Sequence, residues 1–405
     1  MNRFDRIVVA AIAFMYAVIP LYGAFGILDP LRPPIPPLIG LGATIAIAVA
    51  ALAAAAICAC GALRRPAPKR LVLAQLVAGG FIIPSALLGF DPPTGLLLAL
   101  IVMAVGTVGI AVYGYAALPG VVRAIVIATL ASAALAVMLA LVMVVTRRPA
   151  ALYAYNNGRA VGTFLNPNEL AAYLLVVIGL AAGVAFFGRG AATRAIAALA
   201  LAVAAAGFAA TYSRWAFISA LAGLAAFALL ARTRRSWAVL AVTVACAVFI
   251  VAGPGREHHN PRDDASRVVA WTTGWRTFLA FPLTGVGPLA FKRTYEVLRP
   301  PFAPGGDVPV AYDPHSLPLA YLDESGIVSL AGLIAIWCIY AGAIRAALRD
   351  APERRRNLAY AFCAGLFALN VHVLVNTISL YFVFLTQGVA LALALAQRGL
   401  DASAD

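Results

Sequence analysis

Runs of Ala, Leu, Val and Ile recur along almost the whole chain, each reaching the roughly 20 residues a helix needs to cross a bilayer, with short polar turns between them. The pattern predicts about twelve membrane-spanning helices, near residues 7–28, 38–63, 71–90, 94–113, 122–145, 169–187, 195–212, 215–231, 237–252, 326–346, 358–376 and 379–396. An all-α polytopic membrane protein follows, with residues 1–405 as a single membrane domain. The first run lacks a small-residue cleavage site and leads into the Pro-rich stretch Asp29 to Pro37. It is therefore expected to stay as a helix, with the mature chain starting near Met1.

The pattern breaks once, in a long polar loop over residues 253–315. Inside it, Val268, Trp271, Trp275 and Phe278/Leu279 recur at helical spacing. They predict an amphipathic helix between Ala265 and Phe281 that lies on the membrane or packs over the spans.

Charge then orients the chain. Only 11% of residues are charged, with a formal net charge of +14. Arg64, Arg65, Lys69, Arg70, Arg123, Arg189, Arg194, Arg232, Arg234, Arg235 and the Arg345 to Arg356 cluster fall on one side, with Asp29 and Asp91 opposite. The positive-inside rule makes the first side, and both termini, cytoplasmic. Scatter over membrane-flanking turns, rather than clustering on a soluble domain, argues against a nucleic-acid partner. Cys58, Cys60, Cys246, Cys338 and Cys363 all fall inside expected spans, where thiols act as small apolar groups, so neither a disulfide framework nor a metal site is expected from them.

About 12 of the 30 Lys and Arg residues fall on the outer side, more than orientation bias favours. Several sit where chemistry is plausible. Gly158-Arg159 leads through Gly162-Thr163-Phe164 to Asn166-Pro167-Asn168-Glu169. Asn166 or Asn168 suits a helix cap and Glu169 the positive helix end, whereas a helix N-terminus has no electrostatic use for Arg159. Arg214, in the short turn Thr211-Tyr212-Ser213-Arg214-Trp215, is either an interfacial side chain beside an aromatic belt or a phosphate ligand.

The long loop adds Arg256, His258, His259, Arg262, Arg267, Arg276, Lys292, Arg293 and Arg299. Arg267 and Arg276 lie along the expected amphipathic helix and need not face the same way. His258 and His259 with Asp263 and Asp264 match no recurrent metal-ligand spacing. His372, in the eleventh expected span with Asn370 and Asn376, suits interhelical hydrogen bonds. His315 ends the loop in Asp313-Pro314-His315-Ser316, where an imidazole can accept a proton near neutral pH, and it is the preferred general base.

Three stretches together, Gly158 to Asn168, Tyr212-Ser213-Arg214, and His315-Ser316 followed after nine residues by Gly326, resemble the O-antigen ligase family. That family of membrane glycosyltransferases includes O-antigen polymerases and protein O-oligosaccharyltransferases. The resemblance implies a GT-C-like fold in the bacterial inner membrane, with a large, partly helical periplasmic loop over the site. It also implies transfer of a glycan from undecaprenyl diphosphate to a hydroxyl of the lipid A core, with no cofactor. His315 matches the family's essential histidine, Arg214 an outer-face arginine and, more weakly, Arg267 the loop arginine. Ser316 stands where the family often has Asn, and Ser329 where it often has Gly, Thr or Tyr.

Under this resemblance His315 deprotonates the acceptor while Arg159, Arg214 and Arg267 stabilise the leaving diphosphate. Arg276, Asn166, Asn168 and Tyr212 are further candidates for substrate binding. Direct displacement of this kind inverts the anomeric centre and needs no metal. A transporter or flippase of an anionic lipid is the reading from another class; it would carry midplane ionisable residues and an internal repeat, and neither stands out.

Overall fold

The computed structural model describes residues 1–20, 41–65, 68–231, 261–300, 313–378 and 381–400, with six positions between 237 and 248. Their regular structure is helical: α1 (Arg3–Val18), α2 (Leu41–Ala62), α3 (Lys69–Leu88), α4 (Pro92–Tyr115), α5 (Val121–Thr146), α6 (Ala150–Tyr155), α7 (Pro167–Phe187), α8 (Ala191–Ala210), α9 (Arg214–Ala231), α10 (Pro261–Ala280), α11 (Phe291–Leu298), α12 (Leu317–Arg349), α13 (Glu353–His372) and α14 (Tyr381–Arg398). Among the described residues nine helices are long and apolar enough to cross a membrane: α2 from Ile45, α3, α4, α5, α7, α8, α9, α12 and α14. The chain is an all-α multi-pass membrane protein.

The expected count of twelve spans is met only in part. α1 is 16 residues long, and residues 21–28 of the first expected span lie outside the described residues. Most of 237–252 lies outside them too. α13 forms, but it opens on Glu353 followed by Arg354 to Arg356, and this charge keeps it out of the nine.

α7 is the central helix, buried along most of its length and packed on α8 and α13. Small residues bring α13 close: a Cβ on Gly179 would stand 2.8 Å from the Ala361 carbonyl oxygen and 3.0 Å from the Cα of Gly365. Between membrane helices, where the solvent is as apolar as the side chains, such close backbone approach is a main source of cohesion.

Ion pairs and hydrogen bonds sort the connections to the two ends of the bundle. Arg65 pairs with Asp5 at 3.3 Å, Arg354 donates to the Phe187 carbonyl at 2.7 Å, and Arg355 donates to that of Gln397 at 3.0 Å. Chain start, α2–α3 turn, α7–α8 turn, α12–α13 turn and the end of α14 therefore share one end. At the other, Arg293 of α11 pairs with Asp91 of the α3–α4 turn at 2.7 Å.

Pro282-Leu283-Thr284-Gly285-Val286-Gly287 forms a clamp at this second end. The N–H groups of Val286 and Gly287 donate to the carbonyls of Asp323 and Glu324, Phe90 N–H donates to the Val286 carbonyl, and Ile327 N–H to that of Pro282. The two α12 carbonyls are available because the helix breaks at Gly326, at φ 75° and ψ −177°. Gly326 thus separates a first segment, 317–325, from the membrane-crossing part, as the sequence pattern anticipates.

α10 forms where the periodicity predicts an amphipathic helix, yet it packs with another face. Val269, Ala270, Thr273 and Thr277 are buried, while Val268, Trp275 and Leu279 are exposed. The reason is steric. α10 lies so close to α12 that a Cβ on Gly274 would stand 3.0 Å from the Leu319 side chain and 3.1 Å from a carboxylate oxygen of Asp323, so only small residues fit the contact. Thr273 satisfies its hydroxyl on the Val269 carbonyl and Thr277 donates to Thr294 Oγ1, which lets both be buried.

Candidate active site

The site lies at the end of the bundle that carries the clamp, between the first turns of α7 and α9, α10 and the approach to α12. Asn166 caps α7: its Oδ1 accepts from Asn168 N–H at 2.8 Å, with Pro167 at the first helical position and Glu169 in the first turn. The capping expectation holds for Asn166. Asn168 has a different task, since its Oδ1 accepts from Ser213 Oγ at 2.8 Å and from Arg159 Nη2 at 3.3 Å.

Arg159 also donates through Nε to the Thr211 carbonyl at 2.8 Å. Thr211 closes the C-terminus of α8. A cation is favoured at this negative helix end, an electrostatic use that consideration of α7 alone does not reveal. Tyr212 takes a left-handed backbone, φ 47°, and reverses the chain into α9. Arg159, Asn168, Tyr212, Ser213 and Arg214 are thereby brought together from two loops.

Arg214 opens α9 and meets Asp264 of α10, with Nη2 at 3.0 and 3.2 Å from the two carboxylate oxygens. Both side chains are about half exposed, at 40% and 52%. Almost one turn further along α10, Arg267 donates to Asn376 Oδ1 at 3.3 Å. Asn376 is buried, and its own Nδ2 donates to the His372 carbonyl at 3.4 Å. His372 is fully buried beside the backbone of Asn168 and Trp215. Asn370 accepts from the Tyr381 hydroxyl at 2.6 Å. The interhelical hydrogen bonds expected of His372 are not made: neither ring nitrogen meets a partner among the described residues, and the neighbouring asparagines carry the bonds instead.

Arg214, Asp264 and Arg267 stand on the wall of a cleft of about 550 Å³. The rest of its lining is apolar, from Trp215, Phe217, Ile218 and Leu221 on α9, Val248, and Val268 and Trp271 on α10. Ile218, Val248 and Val268 are themselves exposed, so the cleft opens on the apolar flank of the bundle.

His315 does not line this cleft but adjoins it through Trp271, whose Nε1 lies 3.5 Å from the His315 carbonyl oxygen. Its backbone is left-handed, φ 50°. The Asp313 carboxylate fixes both parts of the residue: Oδ1 accepts from His315 N–H at 2.7 Å and lies 3.4 Å from Nδ1. A ring whose Nδ1–H faces a carboxylate keeps Nε2 as its basic atom. Leu317 N–H donates to the Val373 carbonyl at 2.9 Å, tying the start of α12 to the end of α13.

Arg276 is not brought to this cluster. Nine residues separate it from Arg267, about 900° of helix, so it emerges on the opposite side and donates to the Leu298 carbonyl at 3.2 Å. Arg256, His258 and His259, and the side chains of Arg262 and Asp263, lie outside the described residues. Asp264, Asp313, Trp271 and Asn376 are members of the arrangement that the sequence reading named in other settings without giving them a part in the site. Only Asp313 had a local signal, two residues before His315 in the register of an Asx turn.

Fold and site define a multi-pass helical membrane protein that gathers arginines at one end of its bundle, beside a cleft open to apolar surroundings. Residues 198–334 match the family described as O-antigen ligase, and the family resemblance drawn from the sequence is borne out over that stretch. The match runs from α8 into α12. It takes in Tyr212, Arg214, Arg267, Arg276, His315 and Gly326, and leaves Arg159, Asn166 and Asn168 outside. It supports glycosyltransferase activity of the O-antigen ligase or polymerase kind. No curated protein matches the chain.

Proposed function

We propose that this protein is an inverting, metal-independent glycosyltransferase, moving O-antigen glycan from undecaprenyl diphosphate to a sugar hydroxyl of the lipid A core. The reaction takes place on the periplasmic face of the inner membrane, and both termini are cytoplasmic. One observation carries the reading: two guanidinium groups, Arg214 and Arg267, stand with the single carboxylate of Asp264 at the wall of a cleft whose remaining lining is apolar and which opens sideways. A lipid chain fits the apolar part and a diphosphate the cationic part.

In this mechanism the acceptor hydroxyl attacks the anomeric carbon while the bond to the diphosphate oxygen breaks. His315 takes the hydroxyl proton on Nε2, with Asp313 holding the ring. Arg214 and Arg267 meet the charge that accumulates on the leaving phosphate oxygens, an electrostatic stabilisation stronger in a site bordered by lipid than in water. Arg159 supports from behind: it holds the Thr211 carbonyl and Asn168, and so sets the turn from which Arg214 projects. Asn166 and Tyr212 shape the same two loops.

Trp271 links the His315 backbone to the cleft wall. The test is transfer from purified undecaprenyl diphosphate glycan to lipid A core, by wild type and His315→Ala, with chelator and without added metal. Product from the wild type and a loss of about 10²–10⁴-fold in the folded variant is the expected result. Full activity of His315→Ala would assign the base elsewhere, and abolition by chelator would overturn the metal-free mechanism. If membranes active on the donor elongate only free glycan, the acceptor is that of a polymerase.

A further inference from the structure

At the end of the bundle away from the arginine cleft, a second cavity of about 630 Å³ opens where helix ends meet. Its wall comes from the first turn of α3, the last turns of α4 and α14, the last part of α12 and the start of α13. Four cations line it, Lys69, Arg70, Arg355 and Arg398, against one carboxylate, Asp350. A smaller cavity of about 100 Å³ adjoins it, sharing Arg355 and Arg398 and adding Arg189 and Arg354.

Orientation bias alone places cations on the turns of one membrane face. It does not gather residues from positions 69 to 398 around one hollow. Arg70 and Arg355 each give an N–H to a backbone carbonyl, of Gly342 and of Gln397, which holds their guanidiniums in the wall. Lys69 and Arg398 are exposed and make no hydrogen bond or ion pair with a described residue. α3 and α13 both start here, behind Pro68 and Pro352, with no side-chain cap, so their positive helix ends add to the same field. Leu71, Ala343, Ala347, Leu393 and Ala396 supply an apolar lower wall. Basic hollows between membrane helices, polar at the rim and apolar below, suit phospholipid headgroups, and the volume lies within the roughly 300–1,000 Å³ of ligand sites.

We propose that this cavity binds the phosphate of an acidic phospholipid in the leaflet opposite the candidate active site. The inference stands apart from the glycosyltransferase reading and draws on it only for the name of the leaflet. The full-length protein, purified in neutral detergent, is titrated with phosphatidylglycerol or phosphatidylcholine, and bound lipid is counted by native mass spectrometry. Wild type should retain one phosphatidylglycerol with a preference of about tenfold or more over phosphatidylcholine. The double variant Lys69→Gln, Arg398→Gln should lose that preference, and Lys69→Arg, Arg398→Lys should keep it. Arg123→Gln, an exposed cation on the same face outside the cavity, should also keep it. A preference that survives in the glutamine double variant, or falls equally in Arg123→Gln, overturns the site. Displacement of the lipid by millimolar inorganic phosphate overturns the assignment to a lipid headgroup.

Discussion

Arg214 is held in place by a carboxylate that would compete with an anionic substrate for the same guanidinium nitrogen. The Arg214–Asp264 pair is half exposed and uses one guanidinium nitrogen, a geometry worth about 0.2–1 kcal/mol. The diphosphate of the proposed donor would bring more charge and more acceptor oxygens to that exchange than Asp264 does. Asp264→Asn should therefore tighten donor binding, by at most about fivefold. Titrating donor against both forms checks this, and weaker binding by the variant would show that Asp264 orders the site rather than competing for it. Such partnerships were not legible in the sequence: Asp264 lies 50 residues from Arg214 and Asn376 lies 109 from Arg267. Local signals were, since Asn166 announces its cap and His315 stands out by residue type and position. Arg159 stood out as a cation without an electrostatic use at the start of α7, and its hydrogen bonds to Thr211 and Asn168 supply that use at the end of α8.

At the scale of elements, the spans that could be read from apolar runs are those whose length and composition decide the matter, and their ends agree with the helices to within a few residues. What the pattern left open was direction. The stripe Val268, Trp275 and Leu279 on α10 is periodic, but packing against α12 selected the small face with Gly274 instead. Periodicity reports that a helix has an apolar face and not which neighbour claims it. The Pro282 to Gly287 clamp likewise takes its meaning from a distant partner, the break at Gly326. A Cβ at Gly326 would stand 2.2 Å from the Leu283 carbonyl oxygen. The backbone there is accessible to glycine alone, which costs any other residue about 1–3 kcal/mol before the overlap is added. Gly326→Ala should lower the thermal unfolding midpoint and transfer together. Gly80→Ala, with nothing within 4 Å, should change neither; an unchanged midpoint for Gly326→Ala would remove the clamp's structural role.

For the whole molecule, hydrogen bonds and ion pairs divide the turns into two ends, in agreement with the charge pattern, and the proposed orientation makes this division directly testable. Leu283 is exposed at the clamp end and Glu353 at the other. On intact cells Leu283→Cys should react with a membrane-impermeant maleimide once the outer membrane is made permeable, whereas Glu353→Cys should react only after the inner membrane is opened. The reverse labelling would invert the chain and move the arginine cleft to the cytoplasm.

The cleft's sideways opening also sets how the enzyme would sense its donor. A substrate that arrives through the flank of the bundle is delivered by lateral diffusion within a sheet, so the quantity governing saturation is its mole fraction among lipids and not its molarity in the sample. Adding empty lipid or detergent at constant total donor thins that two-dimensional supply, and turnover falls with it.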